Sequence, residues 1–205
     1  MTTTPQPQAP SAKAAAVIHA ARGVFASHGY AKTTMQDIAQ AAGISRAALY
    51  LLFKNKAELF CAGSVEAHRT ALAEVDRALA GQDPVFERLG SALSEYAEHL
   101  LADFATSPHQ EELFQAGKTL TGEQVRSVTE AVLDRLEQTL LAAERTGEID
   151  LSAGPRADHL AFLALAAVNG AKHVHAPHDL SSAIASFAEL ARAATAPRSV
   201  KFPVS

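Results

Sequence analysis

Tryptophan is absent from the 205 residues, and cysteine occurs once, as Cys61. A lone cysteine excludes an internal disulfide framework and fits a reducing compartment. Strand-like alternation of β-branched residues is almost missing, while alanine and leucine are abundant, a balance that favours helices throughout. The N-terminus lacks the basic-then-apolar pattern of a signal peptide. The longest uncharged apolar stretch, His159 to Ala171, falls short of the roughly 20 residues that cross a bilayer. The expectation is a cytoplasmic, all-α protein with no membrane segment. Marks of common catalysts are also missing: no G-x-S-x-G elbow, no P-loop, no dinucleotide fingerprint and no H-E-x-x-H pair. No nucleophile–base set is recognisable by spacing, so neither an enzyme nor a cofactor is expected.

A net charge of −4 would argue against nucleic acid if it were evenly spread, but it is not. Residues 1–60 carry six basic side chains (Lys13, Arg22, Lys32, Arg46, Lys54, Lys56) against Asp37 and Glu58, which makes +4 and leaves −8 for the remainder. A basic head on an acidic body is the asymmetry expected when only the head meets phosphate.

Within that head, Thr33 to Phe60 reads as two short helices, a tight turn and the start of a third helix. Thr33 or Thr34 can cap the first, with Gln36 or Asp37 completing a capping box, and Ile38, Ala39 and Ala42 form its apolar face. Gly43 stands where that helix must stop and a positive φ is needed. Ser45 caps the second helix, whose inner face is Leu49, Leu52 and Phe53. Helix, glycine turn, helix is the plan that presents its second helix to a DNA major groove. Arg46, at the start of that helix, can donate two hydrogen bonds to guanine, and Ala47 can touch a thymine methyl. Gln36 can reach a base or a phosphate. Thr34 and its helix N-terminus are positioned for a phosphate.

The run Thr33-Thr34, Ile38-Ala39, Ala42-Gly43-Ile44-Ser45, Leu49-Tyr50, Phe53, Lys56 and Glu58-Leu59 resembles the DNA-binding domain of the tetracycline-repressor (TetR) family. The likeness reaches back through Ala20, Phe25 and His28-Gly29-Tyr30, and covers roughly residues 13 to 60. It implies that Tyr50 and Lys56 contact backbone phosphates. Two positions depart from the pattern. Leu51 and Leu52 stand where members often carry His or aromatic residues, and Ala48 stands where a hydroxyl residue is common.

The remaining chain divides into an arm, a body and a tail. Residues 1–11, rich in Pro, Gln and Thr, are expected to be a disordered arm. The DNA-binding domain takes 12–54, with its first helix from about Ala12 to His28 and Gly29 at its end. The body takes 55–195 and the flexible tail 196–205. Helices are expected from about Asn55 to Ala80, Pro84 to Thr106, His109 to Ala116, Glu123 to Thr146, Arg156 to Val174 and Leu180 to Thr195, about nine in all. The helix from Arg156 is apolar all round (Leu160, Phe162, Leu163, Leu165, Val168), so both its sides need covering. The last helix repeats Leu180, Ile184, Phe187, Leu190 and Ala194 on one face.

One short head binds DNA poorly, so a two-fold dimer reading a palindrome is expected, with half-sites about 34–36 Å apart. The resemblance implies that the last two helices form the homodimer, and that the body holds a small hydrophobic effector whose binding releases a repressor from its operator. Candidate lining residues are Tyr96, His99, Phe104, Phe114, Phe162 and Asn169. Asn169 is singled out because an amide inside an apolar run needs a partner. His173, His175 and His178 have a spacing possible for zinc, but a helix end and Pro177 favour solvated histidines, so no metal site is expected. Cys61 is read as a small buried hydrophobe before a redox switch. The competing readings are a helical protein-interaction module that has lost DNA binding and offers Leu51 and Leu52 to a partner, or a metal- or redox-responsive regulator using His173, His175 and His178 or Cys61.

Overall fold

The computed structural model describes residues 10–101, 107–173 and 180–197. Among these there are eight helices and no strand: α1 (Ala12–Lys32), α2 (Met35–Ala41), α3 (Arg46–Leu52), α4 (Lys56–Leu79), α5 (Val85–Leu101), α6 (Gln110–Arg145), α7 (Ala157–His173) and α8 (Leu180–Ala194). The all-α architecture with an N-terminal helix-turn-helix is as expected. His175 and His178, Phe104, most of the arm and most of the tail lie outside the described residues.

Ser11 caps α1 by accepting from the Ala14 N–H. Gly29 breaks that helix at φ 77° and ψ 166°, a region open to glycine alone, and a further turn runs on to Lys32. One difference from the sequence reading concerns α6. Two helices with a break before Gly122 are expected, yet one helix of 36 residues runs through. The segment has no proline, and an internal glycine costs only about 1 kcal/mol against alanine. The Thr119 and Thr121 hydroxyls, which could have competed with the helix, bond carbonyls one turn back at 3.0 and 2.8 Å.

The contacts group the chain into two compact units, Met1–Ala67 with Leu101–Val125, and His68–Leu100 with Arg126–Ser205. This division differs from a boundary between residues 54 and 55. In the first unit, Val17, Ile18, Ala21, Val24 and Phe25 of α1 pack with Ile38 and Ala39 of α2, Leu49 of α3, Leu59 and Phe60 of α4, and Leu113 of α6. Phe25, Tyr30 and Phe60 form an aromatic trio with ring centres 5.2–5.7 Å apart, two of the pairs edge-on. The α6 segment is tied in by polar contacts as well. Glu112 accepts from the Ala31 N–H at 2.6 Å, and the Ser107 hydroxyl donates to the Ala26 carbonyl at 2.6 Å.

The second unit has its own core, with Val75 and Leu79 of α4, Val85, Leu89, Leu93 and Tyr96 of α5, and Val132, Leu136 and Leu140 of α6. Leu160, Leu165 and Val168 of α7 and Ile184 and Ala191 of α8 complete it. The inward stripe of α8 is therefore Leu180, Ile184, Phe187 and Ala191, not the stripe ending on Leu190 and Ala194. A 3.6-residue period carries the face from 187 to 191, which turns Leu190 outward at 72 % exposure. On α7, Phe162 and Leu163 are likewise exposed, so the helix that reads as apolar all round has one side covered within the chain.

Candidate nucleic-acid interface

The turn between α2 and α3 is set by local chemistry. Thr34 caps α2: its hydroxyl accepts from the Asp37 N–H at 3.2 Å, while an Asp37 carboxylate oxygen accepts from the Thr34 N–H and hydroxyl, both at 2.8 Å. The helix closes in a Schellman arrangement, in which Gly43 N–H donates to the Gln40 carbonyl and Ile44 N–H to that of Ala39. Gly43 has φ 65°, as the turn requires. Ser45 then starts α3 by accepting from the Ala48 N–H at 3.1 Å.

Seven residues make too short a helix to stand alone, so tertiary anchoring must hold α3. Leu49 supplies it with no exposed surface, and Phe53, just past the helix, is also buried. Leu52 is half-buried beside the same core. With that face fixed inward, Arg46, Ala47, Tyr50 and Leu51 all face solvent. The Arg46 guanidinium lies 5.5 Å from the centre of the Tyr50 ring, and its Nη2 is 3.5 Å from the tyrosine hydroxyl, a long and weak hydrogen bond. Gln36 is exposed in the first turn of α2.

Thr34 and Lys56 occupy different settings from those expected. Both polar groups of Thr34 are engaged by Asp37, whose carboxylate also places negative charge at the α2 N-terminus. Lys56 Nζ donates to the carbonyls of Tyr30, Ala31 and Thr33 at 2.8, 2.9 and 3.1 Å and lies 4.6 Å from the Tyr30 ring centre. An ammonium has three protons, and three carbonyls take them. Sequence spacing could not reveal this clamp, because it joins groups more than 20 residues apart.

The described candidate effector residues differ in their settings. Tyr96 is buried in the second core, where burial pushes its phenol pKa up and a hydrogen bond with Thr129 works against that shift. His99 bonds its own helix through Nδ1 and the Glu95 carbonyl, 2.9 Å apart. Phe162 is 61 % exposed, and Asn169 is exposed instead of enclosed in an apolar run. Both sit on the outward side of α7, which alternation along the run could not distinguish from the inward one. Phe114 is half-buried and belongs to the first unit, and Phe104 lies outside the described residues. A cleft of about 500 Å³ in the second unit is lined by the α4–α5 turn (Gly81 to Pro84), Arg88, the end of α6 and Glu148, and by none of the six. Cys61 is half-buried with Sγ 3.2 Å from the Leu120 carbonyl, and burial raises its thiol pKa.

Residues 17–62 match the family described as bacterial regulatory proteins, tetR family. A probable acrEF/envCD operon repressor of Escherichia coli K12 is 50 % identical over 44 residues, 22 % of this chain and 20 % of that protein. The chain thus aligns with about a fifth of the length of that relative. Among solved structures, the fatty acid degradation regulator FadR of Bacillus halodurans has a TM-score of 0.67 at 20 % identity, covering 89 % of this chain and 96 % of its own. SmeT, the repressor of a Stenotrophomonas maltophilia multidrug efflux pump, in a triclosan complex has a TM-score of 0.61 at 22 % identity, covering 95 % and 100 %. At those identities the likeness is one of fold, and it extends over most of the chain. Residues 17–62, the segment similar to the tetR family of bacterial regulatory proteins, are the same residues that form the helix-turn-helix.

Proposed function

We propose that this protein is a sequence-specific DNA-binding transcriptional regulator, a repressor that a small hydrophobic effector releases from a palindromic operator. The observation that carries the reading is the outward face of α3. Arg46, Ala47 and Tyr50 stand free on a helix whose opposite side is locked by Leu49, in a unit whose sequence to residue 60 is net basic. Arg46 reads guanine, Ala47 approaches a thymine methyl, and Tyr50 and Gln36 serve phosphate or base. Thr34 and Lys56 act one step back, by holding α2 and the end of α1 where α3 needs them.

The body, residues 55–195, is assigned to effector binding and dimerisation. Exposed Phe162, Leu163 and Leu190 on α7 and α8 support a homodimer through the last two helices. The triclosan complex of SmeT supports a hydrophobic effector, and the repressor named among the relatives supports negative control. Because α4 begins in one compact unit and ends in the other, effector binding can shift the population of arrangements in which two heads fit neighbouring grooves. The interaction-module reading is weaker, since of its two leucines Leu52 is half-buried and only Leu51 protrudes.

The test is a titration against DNA flanking the gene, at several salt concentrations, beside Arg46→Ala and Tyr50→Phe variants. Selective binding that falls steeply with salt and weakens in Arg46→Ala is the expected result. Failure to enrich any duplex, from those flanks or from a genome-fragment selection, would sink the reading.

A further inference from the structure

Leu51 is 87 % exposed, more than any other large hydrophobic side chain among the described residues. It does not belong to a broad apolar patch, and its surroundings on α3 are ordered in rows. Residues four apart share a helix face, so Arg46 and Tyr50 form one row and Ala47 and Leu51 the next. The first row is polar and closed on itself by the Arg46–Tyr50 contact. The second is wholly apolar. Neither row can turn away, because Leu49 on the opposite side of the helix is buried to 0 % exposure.

We infer that Leu51, with Ala47 one turn before it, reads the C5-methyl group of thymine beside the base pair addressed by Arg46. This deepens the regulator reading and rests on it. A leucine side chain has no donor or acceptor, so it can hold neither a phosphate nor a base edge by hydrogen bonding. The one apolar group that the major groove displays is the thymine methyl. Docking α3 would take the leucine and the methyl out of water together, a gain proportional to the apolar area removed. The preferred half-site therefore sets thymine next to the position Arg46 selects.

Replacing single thymines by deoxyuridine removes that methyl and keeps every base-pairing group, so it isolates the contact. The selected operator is titrated with thymine at all positions and with deoxyuridine at each in turn, using the wild-type full chain and Leu51→Ser. The residue is exposed enough for the variant to fold, which circular dichroism checks. Wild type is expected to lose about fourfold in affinity at one thymine of a half-site, the worth of about one buried methyl. Leu51→Ser is expected to bind the thymine operator about fourfold more weakly, to be indifferent to deoxyuridine there, and to keep the wild-type salt slope. Either of two results overturns the inference: no deoxyuridine-sensitive position in wild type, or the same sensitivity retained by Leu51→Ser. Absence of selective, salt-sensitive binding by wild type itself is distinguishable from both and defeats the regulator reading along with this one.

Discussion

The Lys56 ammonium meets three carbonyls around the end of α1, where the helix dipole also favours a cation. Removing the charge while keeping the stem, as in Lys56→Met, leaves those carbonyls to partial hydration. Urea unfolding followed by circular dichroism should show a loss of about 1–3 kcal/mol. The same variant separates a clamp from a phosphate contact. Losing one phosphate contact lowers the slope of log K against log salt by about 0.9, whereas a clamp leaves the slope unchanged. Two glycines offer a second contrast. Gly43 has positive φ with open space around it, so Gly43→Ala should cost about 1–2 kcal/mol. Gly29 sits where only glycine is at ease, and a Cβ there would overlap the Glu112 carboxylate and approach His109 Cγ to 3.1 Å. Gly29→Ala should therefore cost on the order of 3 kcal/mol or more, since backbone strain adds to a disturbed Glu112–Ala31 bond. The glycine positions are legible in the sequence as helix stops. What crowds Gly29 is not, because the neighbour comes from 83 residues further along the chain.

Among the elements, α2 illustrates how a local signal becomes a pH dependence. Hydrogen bonds from the Thr34 hydroxyl and N–H hold the Asp37 carboxyl below its ordinary value of about 4. A lowered native pKa means that the unfolded state binds the proton more readily as pH falls. The stability Asp37 adds is thus fully present above about pH 4 and is lost as pH drops through its lowered native value. The melting-temperature gap between wild type and Asp37→Ala should be constant from pH 7 to 5 and narrow toward pH 3. A gap that stayed constant throughout would remove Asp37 from the cap. Ser45, Gly43 and Thr34 were readable because each acts within four residues of itself. The unbroken α6 was not, since helix continuity past Gly117 and Gly122 depends on Leu113, Val132, Leu136 and Leu140 finding their cores.

At the scale of the whole molecule, the exposed Phe162, Leu163 and Leu190 predict self-association through α7 and α8. Leu190→Glu changes a side chain that is mostly outside the core, so helix content should survive. Sedimentation equilibrium should nevertheless find monomer at concentrations where wild type is a dimer, and operator affinity should fall at least about tenfold. A Leu190→Glu protein that stayed dimeric would exclude this surface. The all-α class, the helix-turn-helix and its caps are legible in the chain's local pattern, because periodicity, glycine stops and capping boxes operate over a few residues. Long-range packing alone settles that Lys56 clamps carbonyls, that residues near Glu112 join the helix-turn-helix unit, that Leu190 and not Ala191 faces out, and that Leu51 stands in solvent. Each of these depends on which distant side chains take up the available core, and spacing along the chain carries no record of that competition.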